Sequence, residues 1–176
     1  MKTLVIITHP NIEESVVNRR WLEELTKYPD KYVIHQLHKV YSDEKINVKA
    51  EQGLVEQYDK IVFQFPVFWY SCPSLLKKWI DEVLISGWAY GSKSGYKVAG
   101  KKIALAVSAG LEEYEYGPEE QYKYTMEELL RPFELTFEYV KADYKPFFAF
   151  YGIDQNASKE WIEQSVPSYL DFLESL

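Results

Sequence analysis

A single cysteine, Cys72, occurs among the 176 residues. An internal disulfide is therefore excluded, and a reducing, cytoplasmic setting is expected. Basic residues are in deficit: 20 lysines and arginines stand against 27 acidic residues, for a formal charge of −7. No basic stripe runs along the chain, which argues against a general nucleic-acid binder. Long apolar runs are missing as well; the longest reach about half of the ~20 residues that span a bilayer. The start, Met1-Lys2-Thr3-Leu4-Val5-Ile6-Ile7, could mimic a leader, but no small-residue cleavage site follows before His9-Pro10, so it reads as a strand. No internal repeat, low-complexity tract or linker interrupts the chain, and its length suits one domain over residues 1–176. Neither a G-x-G-x-x-G turn nor a Walker lysine is present, so a Rossmann dinucleotide site and a P-loop are both unsupported.

Aromatic residues, by contrast, make up 16% of the chain. A dense core, an aromatic ligand pocket or a dimer interface would each use them. The stretch 61–80 organises the rest. Ile61-Val62-Phe63-Gln64-Phe65 is short, apolar and bounded by Pro66, which marks a buried strand. Leu75, Leu76, Trp79, Ile80, Val83 and Leu84 then recur at helical spacing, with Pro73 suited to the first turn. Further strands are expected over 2–8, 32–37, 102–108 and 144–151. Further helices are expected over 15–26, 47–58, 125–140 and 158–176, the third of these opened by a Thr125…Glu128 capping box. Pro132 should kink one helix and Pro167 should break the last. Residues 38–46 and 109–124 read as irregular loops. Strands alternating with helices predict a doubly wound α/β fold with helices on both faces. Five strands suit the flavodoxin-like parallel order 2-1-3-4-5.

In that order the carboxyl ends of strands one, three and four converge on one crevice. Loop one, His9 to Asn18, leads into a helix start, where free N–H groups and the helix dipole attract a phosphate. His9, Ser15 and Asn18 add side-chain donors; the alternative is that Ser15 merely caps the helix and His9 packs in the turn. Loop two carries Pro66, Val67, Phe68, Trp69 and Tyr70. Its aromatics either cap the core or stack on a flat ring. Loop three, Ser108-Ala109-Gly110-Leu111, has one glycine for a close backbone approach.

These residues carry a resemblance. His9-Pro10 with Ser15 and Asn18 resembles the phosphate loop of the flavodoxin-like NAD(P)H:quinone oxidoreductases. Residues 65–73, Phe-Pro-Val-Phe-Trp-Tyr-Ser-Cys-Pro, resemble that family's flavin-ring loop. Gly87-Trp88-Ala89-Tyr90-Gly91, Gly100-Lys101-Lys102 and the run 128–134 continue it, over nearly the whole chain. The small bacterial branch, which includes the ancillary quinone reductase of potassium-efflux systems, is the most similar. The resemblance implies a tightly bound FMN (FAD in larger relatives), NAD(P)H as hydride donor, a quinone-type acceptor, ping-pong turnover and a homodimer with active sites at its interface. It also leaves open a peripheral role on a membrane transporter, or a one-electron carrier of flavodoxin type.

Carried over residue by residue, the resemblance has flavin contacted by His9, Ser15, Val16, Val17, Asn18, Pro66, Val67, Phe68, Trp69, Tyr70, Ser108, Ala109, Gly110 and Leu111. Tyr116 would sit over the flavin edge and Tyr90 would line the substrate pocket of the partner. Three departures stand out. Phe68 replaces a usual Gln, Leu111 replaces a second glycine, and no histidine follows Tyr116. Elsewhere the residues favour structural roles: His35 and His38 flank a strand, Cys72 lacks a histidine partner, and Glu112, Glu113, Glu115, Glu119 and Glu120 read as a solvated loop rather than a metal site.

Overall fold

The computed structural model describes residues 2–176. Its strands are β1 (Thr3–Ile7), β2 (Tyr32–Gln36), β3 (Lys60–Pro66), β4 (Lys102–Ser108), β5 (Asp143–Tyr144) and β6 (Phe148–Phe150). Its α-helices are α1 (Val17–Leu25), α2 (Leu37–Val40), α3 (Val48–Glu56), α4 (Ser74–Val83), α5 (Met126–Tyr139) and α6 (Lys159–Ser175). All strand pairs are parallel, in the order β2-β1-β3-β4-β5, with β6 also on β4.

Alternation along the strands divides the core in two. Leu4, Ile6, Ile61, Phe63 and Phe65 face α3, α4 and α5; Val5, Ile7, Val62, Ala104 and Ala106 face α1 and α6. Central strands covered on both faces must be apolar throughout. Gln64 is the exception: it is fully buried in β3.

The described residues form six strands because the expected fifth is in two pieces, β5 and β6, both parallel to β4. The segment 144–151 is divided around Pro146: β5 ends at Tyr144, Lys145 N–H still donates to Ile103 O at 2.8 Å, and pairing resumes at Phe148 with the register shifted by one residue. Within 38–46, a short helix, α2, replaces part of the irregular loop, with Leu37 buried beneath it. Residues 109–124 are also not wholly irregular: a 3-10 turn covers Glu113–Glu115. The last helix is not broken at Pro167. Ile162 and Val166 before the proline and Tyr169 and Leu173 after it are all buried against the sheet. That burial outweighs one lost backbone bond, since each large apolar side chain contributes roughly 1.5–3 kcal/mol. Helix α5 likewise runs through Pro132 and opens with the expected capping box.

Candidate active site

Chain topology brings the ends of β1, β3 and β4 to one edge of the sheet. A cleft of about 520 Å³ opens there, lined by the α1 approach, Pro66, Val67, Phe68, Ser108, Gly110, Ile153 and Asp154. That size suits a small-molecule cofactor.

The α1 approach gathers donors. Ser15 Oγ accepts from Asn18 N–H at 3.1 Å, so Ser15 caps the helix. Its own hydroxyl hydrogen stays available. No backbone or side-chain acceptor among the described residues takes the Val16 or Val17 N–H. His9 Nδ1 accepts from Asn11 N–H at 3.2 Å, which puts the proton of a neutral ring on Nε2 as a donor. Burial, and then the charge of His38, hold the His9 pKa below its usual value. No lysine or arginine lines the cleft, and Glu14 and Asp154 do. An anion here is therefore held by N–H dipoles.

Asn18 behaves differently from the expected free donor. It is buried, its Nδ2 donates to Ser108 Oγ at 2.8 Å, and its Oδ1 accepts from Gln64 Nε2 at 3.2 Å. Gln64 in turn accepts from Tyr169 O–H at 2.7 Å. The polar residue inside an apolar strand is thus the anchor of loop one, a role the sequence reading missed; its signal was the one polar side chain in the run 61–65.

In loop two, Val67 N–H donates to Ser108 O at 2.8 Å and fixes the loop on β4. Phe68 and Ser71 exchange backbone bonds of 3.1 and 2.9 Å across Trp69-Tyr70. Both central residues have positive φ, 47° and 61°. This is the backbone of a type I′ turn, which ordinarily takes Asn-Gly. Two bulky aromatics there are strained, and strain of this kind clusters at functional sites. Trp69 is 93% exposed, so it caps no core in this chain. Neither Trp69 nor Tyr70 lines the cleft itself; they stand at its outer side.

In loop three, the carbonyls of Ala109, Gly110 and Leu111 accept from Ile153, Asp154 and Gly152 N–H at 3.2, 2.9 and 2.7 Å. Ala109 is fully buried and its N–H donates to Phe150 O, so it supports the cleft from behind. The Gly110 and Leu111 N–H groups pair with nothing among the described residues. With the carbonyls held on one side, these amides supply donors on the other. The strap 152–154 is a fourth loop that the sequence reading missed; its signal was Gly152 and Asp154 just past the fifth-strand segment, at the same sheet edge.

Tyr116 does not line the cleft; its ring lies 5.9 Å from Tyr122 and 5.8 Å from Tyr151, and Tyr122 lies 6.0 Å from Tyr70. Burial, then the neighbouring Tyr70, push its hydroxyl up to about 12. Tyr90 is not part of this assembly. It sits in a groove between α4 and α5, its ring 5.3 Å from Tyr139, at the end that feeds the start of β4. Burial raises the Cys72 thiol, which fits an inert side chain.

A model of the flavodoxin-like fold matches residues 1–173. The chain belongs to that family. Within it, the chain is 43% identical to an NAD(P)H oxidoreductase of Bacillus subtilis, with 99% of each covered. It is 41% identical to the glutathione-regulated potassium-efflux system ancillary protein of Cronobacter sakazakii, over 77% of this chain and 72% of that one. Among solved structures, general stress protein 14 of Treponema denticola in complex with FMN superimposes with a TM-score of 0.94 at 44% identity, covering 99% of each chain.

Proposed function

We propose that the chain is an FMN-dependent NAD(P)H oxidoreductase that passes two electrons to quinones or similar flat, electrophilic acceptors. One observation carries this reading: a single cleft joins the free amides at the α1 start to the apolar Pro66-Val67-Phe68 wall and to the Gly110 amides. The first group fits a phosphate, the second a ring face, the third an electron-rich ring edge. The FMN complex of the Treponema denticola relative and the oxidoreductase name of the Bacillus subtilis relative support the same reading. FMN, when bound, supplies the redox chemistry. The chain's residues bind it, orient it and shape access.

With the sheet edge behind the ring, one face is open to both substrates. They use it in turn, which gives ping-pong order. The Tyr70, Tyr122 and Tyr116 rings form an apolar rim with polar tips beside that face, suited to flat molecules. The working form is a homodimer in the cytoplasm, and Tyr90 reaches the partner's cleft. No helix of the described residues is long and apolar enough to cross a membrane. Likeness to the efflux-system ancillary protein favours a second reading, in which the same fold also docks on a membrane transporter.

The test is the absorption spectrum of the purified protein with mass identification of any released flavin, followed by calorimetry of FMN reconstitution. A flavin spectrum and binding below about micromolar are expected. A chain that binds neither FMN nor FAD in that range overturns the assignment. Steady-state kinetics with NAD(P)H and a quinone should give parallel double-reciprocal lines; intersecting lines overturn the ping-pong order.

A further inference from the structure

We infer that Asp154 is a flavin-binding residue whose carboxylate accepts hydrogen bonds from the ribityl hydroxyls. The inference rests on the FMN reading of the cleft. Asp154 follows the last strand, on the strap that closes the cleft opposite α1. Its backbone is fixed: Asp154 N–H donates to Gly110 O at 2.9 Å, and the Gln155 and Asn156 N–H groups return to Gly152 O at 3.1 and 2.9 Å. Gln155 Nε2 ties the same turn to Glu115 at 2.6 Å. The side chain is aimed across Gly110, where any β-carbon would collide with Asp154 Oδ2. Position 110 must therefore be glycine for the carboxylate to lie there. The carboxylate itself makes no hydrogen bond or ion pair among the described residues.

A carboxylate only accepts. The phosphate end of FMN offers acceptors and belongs with the α1 amides, so Asp154 is the wrong partner for it. The ring wall at Val67 and Phe68 is apolar. Between these two ends lies the ribityl chain, whose hydroxyls are donors. Asp154 lines the cleft beside Gly110, so its carboxylate falls where the ribityl chain meets the ring edge. Glu14 also lines the cleft and no lysine or arginine does, so a neutral polyol is the part of the ligand that gains from it.

Riboflavin and lumiflavin test the inference without any turnover. Riboflavin keeps the ribityl chain and lacks the phosphate; lumiflavin lacks both. Calorimetry with the full chain should show riboflavin binding weakened about tenfold or more by Asp154→Ala, the loss of hydrogen bonds to a charged group. Asp154→Asn keeps an acceptor oxygen and should retain most of the affinity. Lumiflavin binding should be the same in all three proteins. Equal riboflavin affinity in wild type and Asp154→Ala overturns the inference. So does an equal loss for lumiflavin, which would move the contact to the ring N3–H. Near-UV circular dichroism of each variant separates misfolding from a lost contact, and Asp154→Asn, nearly isosteric, carries the comparison if the alanine variant is disordered. A wild-type chain that binds FMN while Asp154→Ala binds riboflavin normally sinks only this residue's role. A wild-type chain that binds no flavin sinks the proposed function first.

Discussion

Asn18 Nδ2 donates to Ser108 Oγ across 2.8 Å and so joins the first turn of α1 to the end of β4 beneath the cleft. The bond is the near end of a buried polar chain. Gln64 holds the Asn18 side chain and backbone oxygen from β3, and Tyr169 holds Gln64 from α6. Three elements that supply the cleft are thereby set in register by groups that have no water to fall back on. Such networks fix geometry when every member is paired.

Tyr169→Phe tests that network. It removes one hydroxyl and leaves Gln64 Oε1 buried without its partner. The loss should be on the order of 1–3 kcal/mol. For a chain of this size each kcal/mol lowers the melting temperature by about 2–4 °C. Thermal melting of the apo protein reads it, with FMN affinity little changed. A variant that melts with the wild type would show that Gln64 is satisfied in another way.

Ser15→Ala should act on two quantities at once. The Ser15 oxygen caps Asn18 N–H, so its loss costs about 1 kcal/mol of helix stability. The hydroxyl hydrogen is free to donate to a bound phosphate, so FMN affinity should fall about tenfold, while riboflavin affinity holds. Equal losses for FMN and riboflavin would confine Ser15 to capping.

The apo protein should lose stability as pH falls through the histidine range. Burial is the largest cause that holds both His9 and His38 below the ordinary histidine pKa of about 6.5. Between the depressed folded pKa and 6.5 the unfolded chain binds more protons than the folded one, so stability rises with pH there and is complete above it. The window is separated from the carboxylates, which titrate nearer pH ~4. His38 Nε2 is buried with no partner, so His38→Gln should flatten part of the slope. Urea midpoints between about pH 7.5 and about pH 5.5 measure this. A flat wild-type profile would mean both rings are freely solvated.

The Trp69-Tyr70 turn should trade stability for function. Both residues have positive φ, at roughly 1–2 kcal/mol of strain each. Replacing the pair by Asn-Gly, the residues that backbone prefers, should raise the apo melting temperature and depress turnover with quinone acceptors. An unchanged melting temperature would show that the turn carries no strain. Unchanged turnover would show that the aromatics do not serve the open face.

Much of this architecture was legible because apolar alternation leaves few options. The run 61–65 admitted only a buried strand, and Leu75 to Leu84 only an amphipathic helix; both stand where expected. What failed was local chemistry overridden by packing. Pro167 breaks a helix by itself, but not one whose two halves bury on the same sheet face. Pro146 had the opposite effect, and splits a strand that the aromatic pattern ran through. In the site, the three predicted loops converge, yet their side chains do different work. Asn18 and Ala109 are internal supports, and the strap with Asp154 completes the cleft. Loop-to-loop pairing of that kind leaves no periodic signal. Tyr90, expected to line a substrate pocket, lies in its own chain in a separate groove between α4 and α5.

Tyr90 therefore yields the sharpest test of the dimer. In its own chain it lies in a groove of about 530 Å³ between α4 and α5, away from every residue of the cofactor cleft. Beside it, Leu135 and Tyr139 on the same helix are 61% and 68% exposed. Exposed apolar side chains next to a groove mark an association surface. A two-fold dimer across this face would bury them and carry Tyr90 to the partner's open flavin face. Leu135→Lys and Tyr139→Asp place charge at that contact outside the cofactor cleft; because Tyr139 packs on Tyr90, Leu135→Lys carries the kinetic comparison. They should yield monomers by light scattering that bind FMN with wild-type affinity. Turnover of quinone should nonetheless collapse, because each cleft then lacks its borrowed tyrosine. Tyr90→Ala should reproduce the kinetic loss while leaving the dimer intact. A monomer that reduces quinones at the wild-type rate would remove Tyr90 from the reaction and make each cleft self-sufficient.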